Sequence, residues 1–159
     1  MDLEYSSCDG LFELIRQINF KYYGLLNSNI LYLEEVRGTN YVAYIIELRD
    51  AYSHFVRVFD YDVMSEQGKR NVQSHLASYA NHLRRGVLDT FQKILEVEVE
   101  LLAEVVPERD MVAIKHQLAI EMHRGRIMDI GISVDDRIEG YKDLLSYIST
   151  VRKKFVPSV

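Results

Sequence analysis

The stretch SEQGKRNVQSHLASYANHLRRGVLDTFQKILEVEVELLAEVVP, residues 65–107, decides the fold. Apolar residues recur along it every three or four positions, which is the period of one helix face. The stripe comprises Val72, Leu76, Tyr79, Leu83, Val87, Thr90, Ile94, Val97 and Leu101. Ser65 can cap this pattern and Pro107 must end it. Residues 96–100 alternate like a strand, but the helical pattern around them outweighs five residues. We therefore predict one long helix of roughly 35 residues, about 50 Å in length.

Two further helices are predicted before this stretch. The first runs from about residue 9 to residue 37, with Gly24 and residues 27–29 as weak points, and Gly38 ends it. The second runs from about residue 40 to residue 60. Its expected core stripe comprises Tyr41, Tyr44, Ile45, Leu48, Tyr52, Phe55 and Phe59.

Two more helices are predicted after the long one. Pro107 suits the first turn of the fourth helix, and Gly131 ends it. Its apolar face comprises Met111, Ile114, Leu118, Met122 and Ile127. Ser133 and Asp136 form a near capping box that begins the fifth helix. The pattern as a whole predicts an all-α fold, an up-and-down antiparallel bundle of four to five helices with one long central helix.

Composition limits the function classes that fit this chain. Its 159 residues, 48% of them apolar, suit a single helical-bundle domain over 1–159. The formal charge of -5 and the pI near 5.5 argue against a protein that coats nucleic acid electrostatically. The lone Cys8 and the lack of a signal-like or membrane-spanning stretch predict a soluble, cytoplasmic protein that does not enter a membrane.

A hexapeptide pattern occurs twice: Arg, then Asp or Asn, then three residues, then His. Arginine can hold a phosphate, histidine can move a proton near neutral pH, and the polar residue can orient either. The candidate catalytic residues are Arg49, Asp50, His54, Arg70, Asn71 and His75. We expect this chemistry to need no cofactor and no metal.

Helix geometry predicts that the two copies of the pattern meet. If the second and third helices form a hairpin that turns near residues 64–65, residues whose numbers sum to about 129 lie at equal height. His54 then faces the level of His75, and Glu47 faces that of His82. The predicted polar seam comprises Glu47, Asp50, His54, His75 and His82, with Arg57 and Asn71 near it.

The repeated pattern inside an all-helical chain of this size resembles the R-x4-6-H signature of the HEPN superfamily. These small helical bundles include metal-independent ribonucleases and toxin or phage-defence components. The resemblance implies that two motif copies meet at a dimer interface, where Arg49 steadies the scissile phosphate, Asp50 orients and His54 transfers protons. Arg70, Asn71 and His75 form the second set. Because Arg and His five residues apart on a helix differ by about 140° in direction, the site must be composite.

Other interpretations stay open at this stage. The seam can be a solvated polar flank, or Glu47 with the three histidines can be a metal site, although the spacing lacks the Glu-x-x-His pattern of helical bundles. The chain can also be a non-catalytic assembly subunit, with Leu95, Val99 and Leu102 as an interface for a second chain. The catalytic and assembly interpretations both predict a homo-oligomer, a dimer or higher, with RNA or another protein as partner.

Overall fold

A computed structural model describes residues 3–38, 42–126 and 133–155, and all regular structure within these ranges is helical. The helices are α1 (Cys8–Ile18), α2 (Gly24–Arg37), α3 (Val42–Arg57), α4 (Glu66–Ala103), α5 (Glu108–Arg126) and α6 (Val134–Phe155). A π-helical turn, Asn19–Tyr23, joins α1 to α2, and a 3₁₀ turn, Val58–Asp60, follows α3. The predictions of an all-α bundle and of one long helix are confirmed.

The chain divides into two compact units, Met1–Val87 and Leu88–Val159. The division falls inside α4, so each unit includes one half of that helix. The prediction of one domain over 1–159 stays a prediction.

The first unit is an up-and-down arrangement of three helical rods. The first rod is α1 with the π-helical turn and α2, and the other two are α3 and α4. Asn19 of the first rod contacts Tyr79 of α4, and Tyr22, further along the first rod, contacts Arg84, further along α4. These rods are therefore parallel, and α3 runs antiparallel to both. The two rods pack tightly at Gly86, where a Cβ atom would lie 2.9 Å from the Leu26 side chain. Only glycine permits this spacing without a shift of the neighbouring side chain.

The helical run over residues 8–37 is unbroken, but it changes type once. The π-helical turn ends immediately before Gly24, which the sequence marks as a weak point, whereas residues 27–29 are regular α-helix. Gly38 ends α2 in the left-handed conformation at φ 62°, with its N–H donated to the Glu34 carbonyl oxygen. This is the predicted helix stop, and glycine adopts it without a Cβ penalty.

The predicted core stripe of α3 is only partly correct. Tyr44 is buried, but Ile45, Tyr52 and Phe59 are 55%, 66% and 57% exposed. Over residues 44–60, which include the 3₁₀ turn, the buried positions are Tyr44, Ala51 and Val58, seven residues apart. The part of the α3 surface that is fully buried in the core is therefore a narrow apolar strip.

The start of α4 has the predicted cap. The Ser65 hydroxyl oxygen accepts a hydrogen bond from the Gly68 N–H at 3.0 Å. Gly68 itself is buried against the preceding turn, and a Cβ atom there would lie 1.8 Å from the Asp62 carbonyl oxygen. The predicted apolar stripe of α4 is buried from Val72 to Val97.

The second unit comprises the end of α4 with α5 and α6. The Phe91 ring lies 6.2 Å from that of Tyr141, and Arg152 donates to the Glu98 carboxylate. Because the later residue of α4 pairs with the later residue of α6, these two helices are parallel. Pro107 lies at the start of α5, and its carbonyl oxygen accepts from Met111 N. The capping box before α6 is confirmed by the bond from Asp136 N to Ser133 Oγ at 3.1 Å.

One predicted interface is contradicted in this unit. Leu95, Val99 and Leu102 are buried within the chain, with exposures of 0%, 8% and 0%. The prediction assumed that α4 extends beyond its partners, but its C-terminal half carries contacts to α6. These residues therefore form core and not an exposed interface.

Some expectations lie outside the described residues, namely those for Tyr41, Ile127 and Gly131, and the side chain of Met122 is likewise not described. No helix in the described part of the chain has the length and apolarity to cross a membrane.

Candidate functional site

The hairpin of α3 and α4 brings three histidines into one line, which we call the histidine row: His75, His54 and His82. His75 and His82 lie on one face of α4, two turns or roughly 10.5 Å apart. His54 enters from α3, and its ring centre lies 5.4 Å from each of the other two. The predicted equal heights of His54 with His75 and of Glu47 with His82 are confirmed.

His54 and His75 contact each other through the same type of ring nitrogen. Their Nδ1 atoms are 3.1 Å apart, a hydrogen-bond distance that requires one nitrogen to donate and the other to accept. The contact therefore holds one proton, and both rings cannot carry an Nδ1 proton together. The other ring nitrogen of His75, Nε2, lies 3.4 Å from the hydroxyl of Tyr61. The Tyr61 ring stacks on the His75 imidazole.

His82 forms the other end of the row with Glu47 and Arg85. Glu47 Oε2 lies 2.8 Å from His82 Nδ1, while Arg85 Nη2 lies 2.9 Å from that same nitrogen. One nitrogen cannot donate to the carboxylate and accept from the guanidinium together. We assign the proton to Nδ1, because a charge-assisted bond to a carboxylate is the stronger of the two. Arg85 then neutralises Glu47, from which its Nε lies 3.6 Å.

The environment of His54 disfavours its charged form. Desolvation by burial lowers the pKa of His54 below its usual 6.5, and the nearby positive charges of His82, His75 and Arg57 lower it further. Asp50 acts in the opposite direction. A neutral imidazole with a free nitrogen is a proton acceptor, which is the chemistry of a general base.

The first motif copy is only partly assembled at the row. Arg49 donates from Nε and Nη2 to Asp50 Oδ1, at 2.9 and 2.7 Å. Its guanidinium is bonded to this neighbouring carboxylate and its side chain is 71% exposed. Arg49 also holds the pKa of Asp50 below its usual range, and Asp50 interacts electrostatically with His54 and His82. Asp50 thus borders the row, whereas Arg49 reaches it only through Asp50.

The second motif copy contributes its histidine. Arg70 donates from Nε to the Glu66 carbonyl oxygen at 3.4 Å, and Asn71 Oδ1 accepts from Gln67 at 3.2 Å. Both partners lie one turn back on the same helix. The structure therefore brings His54 and His75 together, and the contacts of Arg70 and Asn71 are with their own helix.

Two residues of the site were not anticipated from the sequence. Arg85 follows His82 by three residues on α4, and this i,i+3 spacing could have revealed it. Tyr61 lies beyond the 3₁₀ turn that ends the α3 segment, and its stacking on His75 depends on the path of that connection. Because Tyr61 lies outside both helices, helical periodicity could not predict where its side chain lies.

The metal interpretation finds no support in residues 3–38, 42–126 and 133–155, where no group of three or more His, Cys, Asp or Glu side chains could hold a metal ion. In the row, the Nδ1 atoms of His54 and His75 contact each other, whereas Nδ1 of His82 is bonded to Glu47. The Glu47 carboxylate is already hydrogen-bonded to His82 through Oε2.

Comparison with protein-family models, with curated proteins and with solved structures gives no match to this chain. The resemblance to the HEPN superfamily therefore stays a prediction from the motif.

Proposed function

We propose that this chain is a metal-independent endoribonuclease whose proton transfers take place on the histidine row. The observation that carries the proposal is the 3.1 Å contact between His54 Nδ1 and His75 Nδ1. Two imidazoles from different helices that share one proton form an arrangement that can accept and pass on protons near neutral pH. The HEPN resemblance suggests a toxin or defence role in the cytoplasm for such an enzyme.

In the proposed reaction, His54 is the general base. While its Nδ1–H donates a hydrogen bond to His75 Nδ1, neutral His54 has a free lone pair on Nε2, which accepts the proton of a ribose 2′-hydroxyl. The 2′-oxygen attacks the adjacent phosphorus, and the bond from phosphorus to the 5′-oxygen breaks. His82, stacked on His54, acts in its doubly protonated form: the Nδ1–H stays bonded to Glu47 and the Nε2–H gives its proton to the leaving 5′-oxygen. The row returns to its starting state when the proton gained by His54 passes to water and His82 takes one up. The products are a 2′,3′-cyclic phosphate and a 5′-hydroxyl end.

The phosphate needs a positive partner, and two arginines border the row. Arg85 contacts His82 and Glu47, and Arg57 acts electrostatically on His54. A guanidinium matches the geometry of phosphate oxygens. In a single chain we therefore assign phosphate binding to Arg57 and Arg85, while the Arg49 guanidinium is bonded to Asp50. A homo-oligomer can supply a further arginine from a second copy.

The test uses the full chain with end-labelled single-stranded RNA in excess EDTA. We expect cleavage that yields cyclic phosphate ends, and we expect no cleavage of the same strand with 2′-deoxyriboses, which lack the attacking hydroxyl. His54→Ala and His82→Ala each remove one proton transfer, which typically contributes 10²–10⁴-fold to a rate. His116→Ala is the matched control, because His116 is exposed on α5, in the other unit.

Absence of cleavage by the wild type on RNAs of varied sequence contradicts the enzyme proposal. Equal rates for wild type and His54→Ala also contradict it, because such an activity comes from a contaminant or from another site. Circular dichroism of each variant establishes that the helices are retained.

A second candidate function, a non-catalytic assembly subunit, is favoured by a different observation. The first unit exposes several large apolar side chains, among them Phe20 at 85%, Phe12 at 60% and Leu31 at 56%. Where such side chains form one contiguous patch, they commonly mark an interaction surface. Light scattering of the wild type and of Phe20→Ser discriminates: this role requires an oligomer that the substitution weakens while the RNA assay is negative.

A further inference from the structure

A cavity of about 350 Å³ opens in the first unit between the π-helical turn, α3 and α4. Its volume lies within the range of small-molecule sites, roughly 300–1,000 Å³. The buried side chains Ala51, Leu83 and Tyr79 line its inner part, since they are only 1%, 1% and 6% exposed. Tyr23 and Tyr52, 47% and 66% exposed, line its mouth. The cavity is thus open to solvent at an aromatic rim and apolar inside.

Aromatic rings make up half of the lining residues. Phe55 and Tyr79 lie 5.4 Å apart with their planes tilted by 41°, so they form a corner in which a flat ring can contact one face and one edge. The histidine row is not part of this lining, although His54 and Phe55 are consecutive on α3. Binding here can therefore be measured separately from any proton chemistry.

The polar contribution comes from the π-helical turn. The Tyr79 hydroxyl donates to Asn19 Oδ1, and burial raises the pKa of Tyr79 to about 12, so this hydroxyl keeps its proton at neutral pH. Because the Asn19 oxygen accepts from Tyr79, the amide N–H groups of Asn19 remain as donors for a ligand. Single π turns within α-helices often occur at functional sites, and here that turn supplies Asn19 and Tyr23 to the cavity.

We propose that this cavity binds a compact bicyclic aromatic small molecule that carries one hydrogen-bond acceptor. An apolar cavity of about 150 Å³ accommodates one benzene ring, so about 350 Å³ accommodates two fused rings and one substituent. The apolar lining offers few partners for a molecule with many polar groups, which excludes a free nucleotide. The Asn19 amide fixes the orientation by donating to the acceptor.

The probe for the test is 1-indanone, with indane as the analogue that lacks the oxygen. Added to the isotope-labelled full chain, 1-indanone is expected to bind once per chain with a Kd on the order of 0.1 mM, shifting the methyl signals of Leu48 and Leu83. Asn19→Leu is expected to weaken 1-indanone binding about tenfold and to leave indane binding within about twofold.

Two pairs of measurements make the result decisive. Tyr23→Ser removes part of the rim and weakens binding, whereas Tyr147→Ser, equally exposed at 47% but on α6, leaves it unchanged. Ala51→Phe fills the cavity; should it fail to fold, nuclear Overhauser contacts between 1-indanone and Leu83 in the wild type give the location. Lack of saturable shifts, contacts elsewhere, or a dimer whose partner copy fills the cavity with Phe20 would overturn the proposal.

Discussion

Acid should unfold this protein through the histidine row. The pKa of His54 lies below its usual value because burial desolvates the ring and because His82, His75 and Arg57 add positive charge. The folded state then binds fewer protons than the unfolded chain, in which the histidine pKa is about 6.5. The free energy of unfolding therefore falls as the pH drops below about 6.5, and the fall continues until the pH reaches the folded pKa of His54.

The geometry gives the size of this effect. Neighbouring rings of the row have their centres 5.4 Å apart, and two unit charges at that distance repel by about 3 kcal/mol at an effective dielectric constant of about 20. One excess proton bound by the unfolded chain gives a slope of at most about 1.4 kcal/mol per pH unit. The row therefore contributes a loss of stability that begins as the pH falls below about 6.5 and ends at the folded pKa of His54.

Urea unfolding followed by far-ultraviolet circular dichroism measures this slope between about pH 7.5 and pH 5. His54→Asn removes the central titrating group, so its free energy of unfolding should fall less steeply than that of the wild type. His116→Asn, which changes an exposed histidine on α5, should retain the wild-type slope. Identical slopes for wild type and His54→Asn would refute the reasoning.

Two further predictions concern packing and charge. Gly68→Ala should lower the free energy of unfolding by about 3 kcal/mol, because the new Cβ overlaps the Asp62 carbonyl oxygen, whereas Gly24→Ala, with nothing within 4 Å, should be neutral or stabilising. Thermal unfolding checks both, and an equal effect at the two glycines contradicts the prediction. Arg152→Met should cost about 2 kcal/mol by leaving the buried Glu98 carboxylate without its guanidinium, and Arg152→Met with Glu98→Met should recover most of it in urea unfolding. A double variant less stable than the single one contradicts that account.

The pairing of α3 with α4 could be predicted because it depends only on helix rise and on the position of one turn. Once the turn near residues 64–65 is placed, His54 must lie level with His75, and Glu47 with His82. The caps at Ser65 and at Ser133 were equally readable, since they depend on residues within one turn of the chain.

The core stripe of α3 could not be read as reliably. Tyr52 and Phe59 have the helical spacing of core residues but lie on a partly exposed side, where they are 66% and 57% exposed. A periodic pattern gives the direction of an apolar face but not how much of that face a neighbour covers.

The hydrogen-bond partners of the motif arginines, Arg49 and Arg70, also could not be predicted from the sequence. An arginine has several partners within reach, and Arg49 takes the adjacent Asp50 while Arg70 takes a backbone carbonyl. Long side chains choose among local partners of similar energy, so spacing alone does not fix their direction. Histidines on facing helices are short and half-buried, and their meeting followed directly from the backbone.

Because α4 belongs to both units, its position limits how the protein can be divided into fragments. A cut between residues 87 and 88 leaves each fragment with only part of the 38-residue helix. A fragment that ends at residue 103 retains all of α4 but exposes Leu95 and Leu102, which the intact chain buries, and one that starts at residue 66 exposes Val72 and Leu76 in the same way. Both units are therefore best expressed together, in a chain that keeps every packing partner of α4.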